Sequence, residues 1–260
     1  MIKPLFLIGP PRSGTTIFTQ VLNSSSKVLI TDELRVIAWF IKELRKIEEG
    51  YEKNGDPYPY NYGDRFALYL KSQGSNFIRN FYKILSKEHD KENFQYWGDK
   101  YPHFDSYLDK VPRIFPAAKY VFICRNISEI INSVSIGHEW TIEKSSNYVI
   151  RIYENYIKNF RFIDDSQIIG FHFHDLSDTN LTGILKVFEF LDVSVSEEEK
   201  IKIKTSLKLQ SHSNRTGKEK FSKYQKTKLR LTKKELDDLY SNPRVILIND
   251  SINSKFGYSI

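Results

Sequence analysis

The sequence predicts an α/β fold of three layers, a central parallel sheet flanked by helices in a P-loop-like arrangement, and three observations support it. Residues 4–9 (PLFLIG), 119–124 (KYVFIC) and 168–173 (IIGFHF) are apolar runs short enough for buried strands. Each ends in a polar turn, and each is followed by apolar residues at helical spacing. Short buried strands that alternate with helices require a parallel sheet covered on both faces.

The first unit runs from the strand at 4–9 through the octet GPPRSGTT (9–16) into a helix with apolar Ile17, Phe18, Val21 and Leu22. The octet has the frame G-x-x-x-x-G-K-[ST] of a phosphate-binding loop, with Thr15 where the lysine stands. Gly9 allows the tight turn after the strand. Gly14 lets backbone approach an anion, and the following helix supplies unpaired N–H groups with positive dipole character. Arg12 is the positive group of this loop, and the hydroxyls of Ser13, Thr15 and Thr16 add donors.

Residues 34–95 read as mostly helical, with a polar, glycine- and tyrosine-rich stretch at 49–65 that reads as a loop or lid. Its Tyr51, Tyr58, Tyr60 and Tyr62 either line an acceptor site or decorate the surface. Before this region, Glu33 in TDELR (31–35) suits two tasks, capping the next helix or acting as a general base. Spacing alone favours the cap. After it, Lys100 in WGDKYPHF (97–104) either neutralises charge on a leaving group or is simply solvated.

The second unit passes from 119–124 through Arg125-Asn126 into a helix carrying Ile127, Ile130, Ile131 and Val134. Ligands bind at the carboxyl ends of strands in open α/β sheets, where Arg125 falls. Ser133, eight residues on, lies two turns along nearly the same helix face. The pair would grip a second phosphate, or else cap a sheet edge and face solvent. The third unit ends at His174-Asp175-Leu176 before a helix over about 181–191. Residues 210–224 are polar and basic without period, a loop on the surface or over a ligand; the tail, 231–260, reads as one helix (233–240) followed by an apolar stretch at 245–248.

Composition sets the outer limits. A chain of 260 residues with 40% hydrophobic content reads as one globular domain, 1–260. The sequence has no apolar run of membrane-spanning length, and its first ten residues are too briefly apolar for a secretory signal, so a cytoplasmic protein without stable membrane insertion is expected. A single cysteine, Cys124, excludes an internal disulfide framework and a cysteine-based zinc cluster. The net charge of +7 favours anionic ligands, but the lysines are scattered through helical stretches, and nothing points to nucleic acid.

Taken together, PPRSGTT (10–16), the Arg125/Ser133 pair, Glu33 and GDKYP (98–102) resemble the sulfotransferases that use 3′-phosphoadenosine 5′-phosphosulfate, PAPS. The segment from Pro11 to Arg35 is more specifically similar to the bacterial and tyrosylprotein branch. The resemblance implies that Pro11, Arg12, Ser13, Gly14, Thr15 and Thr16 cradle the 5′-phosphosulfate, and that Arg125 and Ser133 hold the 3′-phosphate. A looser match makes Arg215, Gly217 and Lys218 a basic loop that closes on the nucleotide. It implies Glu33 as catalytic base, Lys100 as catalytic lysine and Arg12 as a partner for the leaving phosphate, with adenosine 3′,5′-bisphosphate (PAP) as product and no metal. His103 and His138 rank below Glu33 as rival bases.

Tyr101 departs from the pattern, since relatives carry a small hydroxyl residue after the lysine. The tyrosylprotein branch is membrane-anchored and disulfide-bonded, so a small-molecule or glycan hydroxyl, such as that of a sugar or phenol, is the expected acceptor here. Two rivals stand beside this. A P-loop kinase or NTPase needs a lysine at Thr15 and a Walker-B aspartate, for which Asp175 qualifies. A non-catalytic nucleotide-binding module would keep the loop and Arg125 but have no use for Glu33 and Lys100 together.

Overall fold

The computed structural model describes residues 2–54, 62–210 and 230–260. In chain order the elements are β1 (Lys3–Ile8), α1 (Thr15–Asn23), β2 (Val28–Asp32), α2 (Val36–Asn54), α3 (Tyr62–Glu88), β3 (Tyr96–Lys100), α4 (Val111–Ile114) and β4 (Lys119–Cys124). There follow α5 (Ile127–His138), α6 (Ile142–Asn159), β5 (Ile168–His172), α7 (Thr182–Phe190), α8 (Glu197–Gln210), α9 (Lys233–Tyr240) and α10 (Pro243–Phe256). Among the described residues the sheet has five strands in the order β2-β3-β1-β4-β5, and every pairing is parallel. The three-layer α/β expectation holds.

Alternation along the strands decides which helix covers which face. Leu5 and Leu7 of β1 pack with Phe18, Val21 and Leu22 of α1 and with Ile184, Val187 and Phe188 of α7. Phe6 and Ile8 face the other way, into a core with Ile127, Ile130, Ile131 and Val134 of α5 and with residues of α2, α3, α6 and α10. The helices that follow the neighbouring strands β1 and β4 therefore leave on opposite faces of the sheet. A crevice opens outside the carboxyl ends of two such strands, the position where open α/β sheets bind ligands.

Two strands escaped the sequence reading. β2 (VLITD) has only five residues, and β3 (YWGDK) carries a glycine, an aspartate and a lysine, yet all five of its residues are buried. Gly98 permits this because β1 runs so close that a Cβ there would stand 1.8 Å from the Leu5 carbonyl oxygen. The charged end of β3 is accommodated by partners from β2 and the turn after it, described below. Register then aligns the strand ends, pairing Lys100 with both Leu7 and Asp32, Phe122 with Ile8, and His172 with Cys124.

The stretch 49–65, expected as a loop, is helical at both ends. α2 continues to Asn54 and α3 starts at Tyr62, so Tyr51 and Tyr62 belong to helices, while Tyr58 and Tyr60 lie outside the described residues. The tail holds two helices where one was expected. The apolar stretch 245–248 sits inside α10, which Asn242 caps by accepting from the Arg244 N–H, with Pro243 in the first turn and Gly257 left-handed at the C-terminus. Among the described residues no helix is long and apolar enough to cross a membrane.

Candidate active site

The loop between β1 and α1 is folded as its glycines require. Gly9 has φ 149°, and a Cβ on it would stand 2.5 Å from the Ile123 carbonyl oxygen of β4; Gly14 has φ 103° and packs under the Phe173 ring so closely that a Cβ would overlap it. Arg12 between them is also left-handed, at φ 70°. A non-glycine residue in this region costs on the order of 1–2 kcal/mol, and such strain clusters at functional sites. No side chain caps the start of α1, so its first N–H groups stay open to an anion. Ser13 is wholly buried, yet among the described residues its Oγ has no hydrogen-bond partner. An orphaned hydroxyl inside an uncapped, glycine-shaped cradle fits a phosphate-type ligand.

Arg125 stands next to this cradle. One terminal nitrogen of its guanidinium donates to the Arg12 carbonyl at 3.2 Å, and its Nε donates to Glu129 at 2.7 Å, one turn along α5. The guanidinium also lies 4.2 Å from the centre of the Phe173 ring. Arg12 in turn donates from Nε to the Ser133 hydroxyl at 2.9 Å. The two predicted anion grips thus meet at one point of the sheet edge, at the β1/β4 crevice. Glu129 was missed by sequence reasoning, although an arginine and a glutamate four residues apart on a helix start are a legible pair. His174 lies 3.2 Å from the other oxygen of Glu129, beyond the end of β5.

On the β2/β3 side of the edge, Lys100 is only 2% exposed. Its Nζ stands 2.5 Å from Asp32 and donates to Glu33 at 2.8 Å, and Arg35 donates to the other Glu33 oxygen at 3.3 Å. Burial pushes the Glu33 carboxyl up, but the hydrogen bond and charge of Lys100, joined by those of Arg35, hold it below its ordinary 4.5. Glu33 does not cap α2, contrary to the expectation from spacing. Asp99, a wholly buried carboxylate on β3, instead holds the turn that leads into α2, accepting from the Leu34 and Arg35 N–H groups. Burial pushes the Asp99 carboxyl up to about 6 despite the donors from Arg35, Thr31 and Leu34.

Other described residues fall around this core. Tyr156 ties the two halves, accepting from the Gly9 N–H at 3.1 Å and donating to the Pro102 carbonyl at 2.8 Å. Tyr101 lies under the Arg35 guanidinium and edge-on to His103, while His138 is exposed and stacks on Trp140. Gly137 brings the end of α5 to within 4.0 Å of the Arg12 guanidinium, measured from the Cβ it lacks. Asp175 accepts from the Tyr258 hydroxyl at 3.4 Å. Arg215, Gly217 and Lys218 lie outside the described residues; the described chain resumes at Arg230, whose N–H donates to Asn132 beside Ser133. A cavity of about 760 Å³ bordered by Ser25, Lys91 and Glu199 lies at the opposite, amino edge of the sheet and includes none of these residues.

The profile of the Sulfotransferase family matches residues 4–197, a stretch that holds the loop, Glu33, Lys100, Arg125 and Ser133. The chain belongs to the sulfotransferase family. Among solved structures, this sulfotransferase-family chain resembles the sulfotransferase domain from the curacin biosynthetic pathway, with a TM-score of 0.53, 16% identity, and coverage of 76% of this chain and 77% of that one. A sulfotransferase of Mycobacterium avium matches with a TM-score of 0.53 and 14% identity over 100% of this chain and 78% of that one. A mouse sulfotransferase solved in complex with PAP matches with a TM-score of 0.50 and 12% identity, covering 97% and 89%. At such identities the likeness is one of fold. An uncharacterized protein of Aquifex aeolicus is 30% identical over 124 residues, which span 48% of this chain and 16% of that protein.

Proposed function

We propose that this chain is a PAPS-dependent sulfotransferase that transfers the sulfuryl group to a hydroxyl of a small molecule or glycan. One observation carries the reading: the Arg125–Ser133 pair is joined through Arg12 to an uncapped cradle around the orphaned Ser13 hydroxyl, beside the Lys100–Glu33 pair. Pro11, Arg12, Ser13, Gly14, Thr15 and Thr16 would hold the 5′ end of the nucleotide, and Arg125 with Ser133 its 3′-phosphate. Arg215, Gly217 and Lys218 would close over it, in keeping with the return of the chain at Asn132. Bound there, PAPS supplies the activated sulfuryl group and leaves as PAP. PAP in the mouse relative accords with this choice of donor.

The residues of the chain would then divide the work. Glu33 takes the proton of the acceptor hydroxyl on a carboxylate oxygen. Lys100 and Arg12 offset charge on the departing phosphate, and the backbone N–H groups of the loop hold its oxygens in place. Turning Lys100 toward that phosphate releases one Glu33 oxygen from the partner that most lowers its basicity, so charge neutralisation and proton removal are coupled. Tyr101, His103, His138 and Trp140 would shape the acceptor side with aromatic faces suited to sugars and phenols. We assign this work to one cytoplasmic domain acting without a metal ion.

Incubation of the purified chain with PAPS and a panel of phenols and sugars tests the reading, with PAP release followed by chromatography. PAP release that rises with at least one acceptor is expected. Absence of PAP release throughout, together with Mg²⁺-dependent ATP turnover, would replace this reading with that of a P-loop kinase or NTPase.

A further inference from the structure

Asp99 is buried to 0% exposure at the register position beside Thr31, one residue before Lys100. Its carboxylate accepts from three donors: the Thr31 hydroxyl at 2.9 Å, the Leu34 N–H at 3.2 Å and the Arg35 N–H at 2.9 Å. The Thr31 oxygen lies 2.7 Å from the Tyr82 hydroxyl of α3, so the insertion helices are tied to the same network. Leu34 and Arg35 form the turn that carries the chain from β2 into α2. Within that turn Glu33 has φ 57° and Arg35 φ 62°, both left-handed. Two non-glycine residues in that region persist only where their surroundings over-determine them. The Glu33 N–H donates to the Lys100 carbonyl at 2.9 Å, and the two Asp99 bonds to the next residues complete the clamp.

We infer that Asp99 is a positioning residue, a buried carboxylate on the neighbouring strand that holds the turn from β2 into α2 and so sets Glu33 against Lys100. The inference rests on the reading of Glu33 as the base. Asp99 itself touches neither end of the proposed ligand site; it acts through the turn. Its neutral isostere, asparagine, keeps one acceptor oxygen but turns an NH₂ group toward the N–H of Leu34 or Arg35, so donor faces donor and the turn relaxes.

The experiment compares Asp99→Asn with the parent by amide hydrogen exchange and by PAPS turnover, with Glu33→Gln and the double variant alongside. Exchange at Leu34 and Arg35 should quicken roughly tenfold or more, as expected for loss of hydrogen bonds to a charged acceptor, while amides of β1 and β4 keep their protection. The turnover number should fall by about 100-fold, the scale of a 1 Å misplacement, with the KM for PAPS little changed. In the Glu33→Gln background the same substitution should cost less than about threefold, because both changes disable one unit. Equal losses in the two backgrounds, or unchanged exchange at both amides, would overturn the inference. If Glu33→Gln alone keeps full turnover, the base assignment falls, while exchange at Leu34 and Arg35 still upholds or overturns the anchor. Should Asp99→Asn fail to fold, Thr31→Ala removes one of the three donors. It is expected to quicken the same two amides, and unchanged amides there count against the anchor.

Discussion

Replacing Glu33 by Gln is expected to lower the rate of sulfuryl transfer by about 10²–10⁴-fold, the usual contribution of a positioned general base, while leaving PAP affinity within a fewfold of the parent. The substitution is nearly isosteric and Glu33 is part-exposed, so folding should survive it. The amide still accepts from Lys100 through its oxygen but cannot take a proton. A pH profile of kcat/KM carries a second expectation. The carboxyl is held below 4.5 by Lys100 and Arg35 against the opposing effect of burial. The active, ionised form is therefore present above that value, and activity is lost as pH falls through the lowered pKa of the folded enzyme. An acid limb centred near neutrality would instead contradict the assignment of the base to Glu33. A Glu33→Gln variant that turns over at the parental rate would remove this residue from the chemistry.

Replacing Arg125 by Ala is expected to weaken PAP binding by roughly 10- to 100-fold, the worth of hydrogen bonds to a charged group, while changing the affinity for adenosine 5′-phosphate far less. The contrast between the two ligands isolates the 3′-phosphate. It also controls for the loss of the Arg125 contacts to the Arg12 carbonyl and to the Phe173 ring, which would disturb both ligands alike. Arg125→Lys should recover only part of the loss, because an ammonium cannot satisfy Glu129, the Arg12 carbonyl and a phosphate with one planar fork. Equal weakening of both nucleotides would mean that Arg125 merely supports the loop. Calorimetric titration of the two ligands against the parent and both variants reads these outcomes.

What the sequence reveals about this fold is what local chemistry controls. The octet at 9–16 is legible because glycines mark backbone that no other residue tolerates, and the φ values of Gly9 and Gly14 bear this out. β1, β4 and β5 are legible as apolar runs that stop at polar turns. β2 and β3 are not, because the burial of Asp99 and Lys100 depends on partners contributed by other segments. The same holds for the turn into α2: a reading of spacing puts Glu33 there as a cap, whereas the turn is held by Asp99, 64 residues beyond Arg35 along the chain. The contact of Arg12 with Ser133 spans 121 residues and follows from the pairing of β1 with β4, which brings the loop and α5 to one crevice. Each of these links is a tertiary event between residues whose own neighbours in sequence carry no trace of it.

Titration of the purified chain with PAP, with adenosine 5′-phosphate and with ATP–Mg²⁺ under one set of conditions decides whether a single nucleotide spans the loop and the Arg125 grip. The expected result is PAP bound at least about tenfold more tightly than either competitor, since it alone presents one phosphate to each grip. Tight binding of ATP–Mg²⁺ with none of PAP would contradict the reading and return the loop to the chemistry of nucleoside triphosphates.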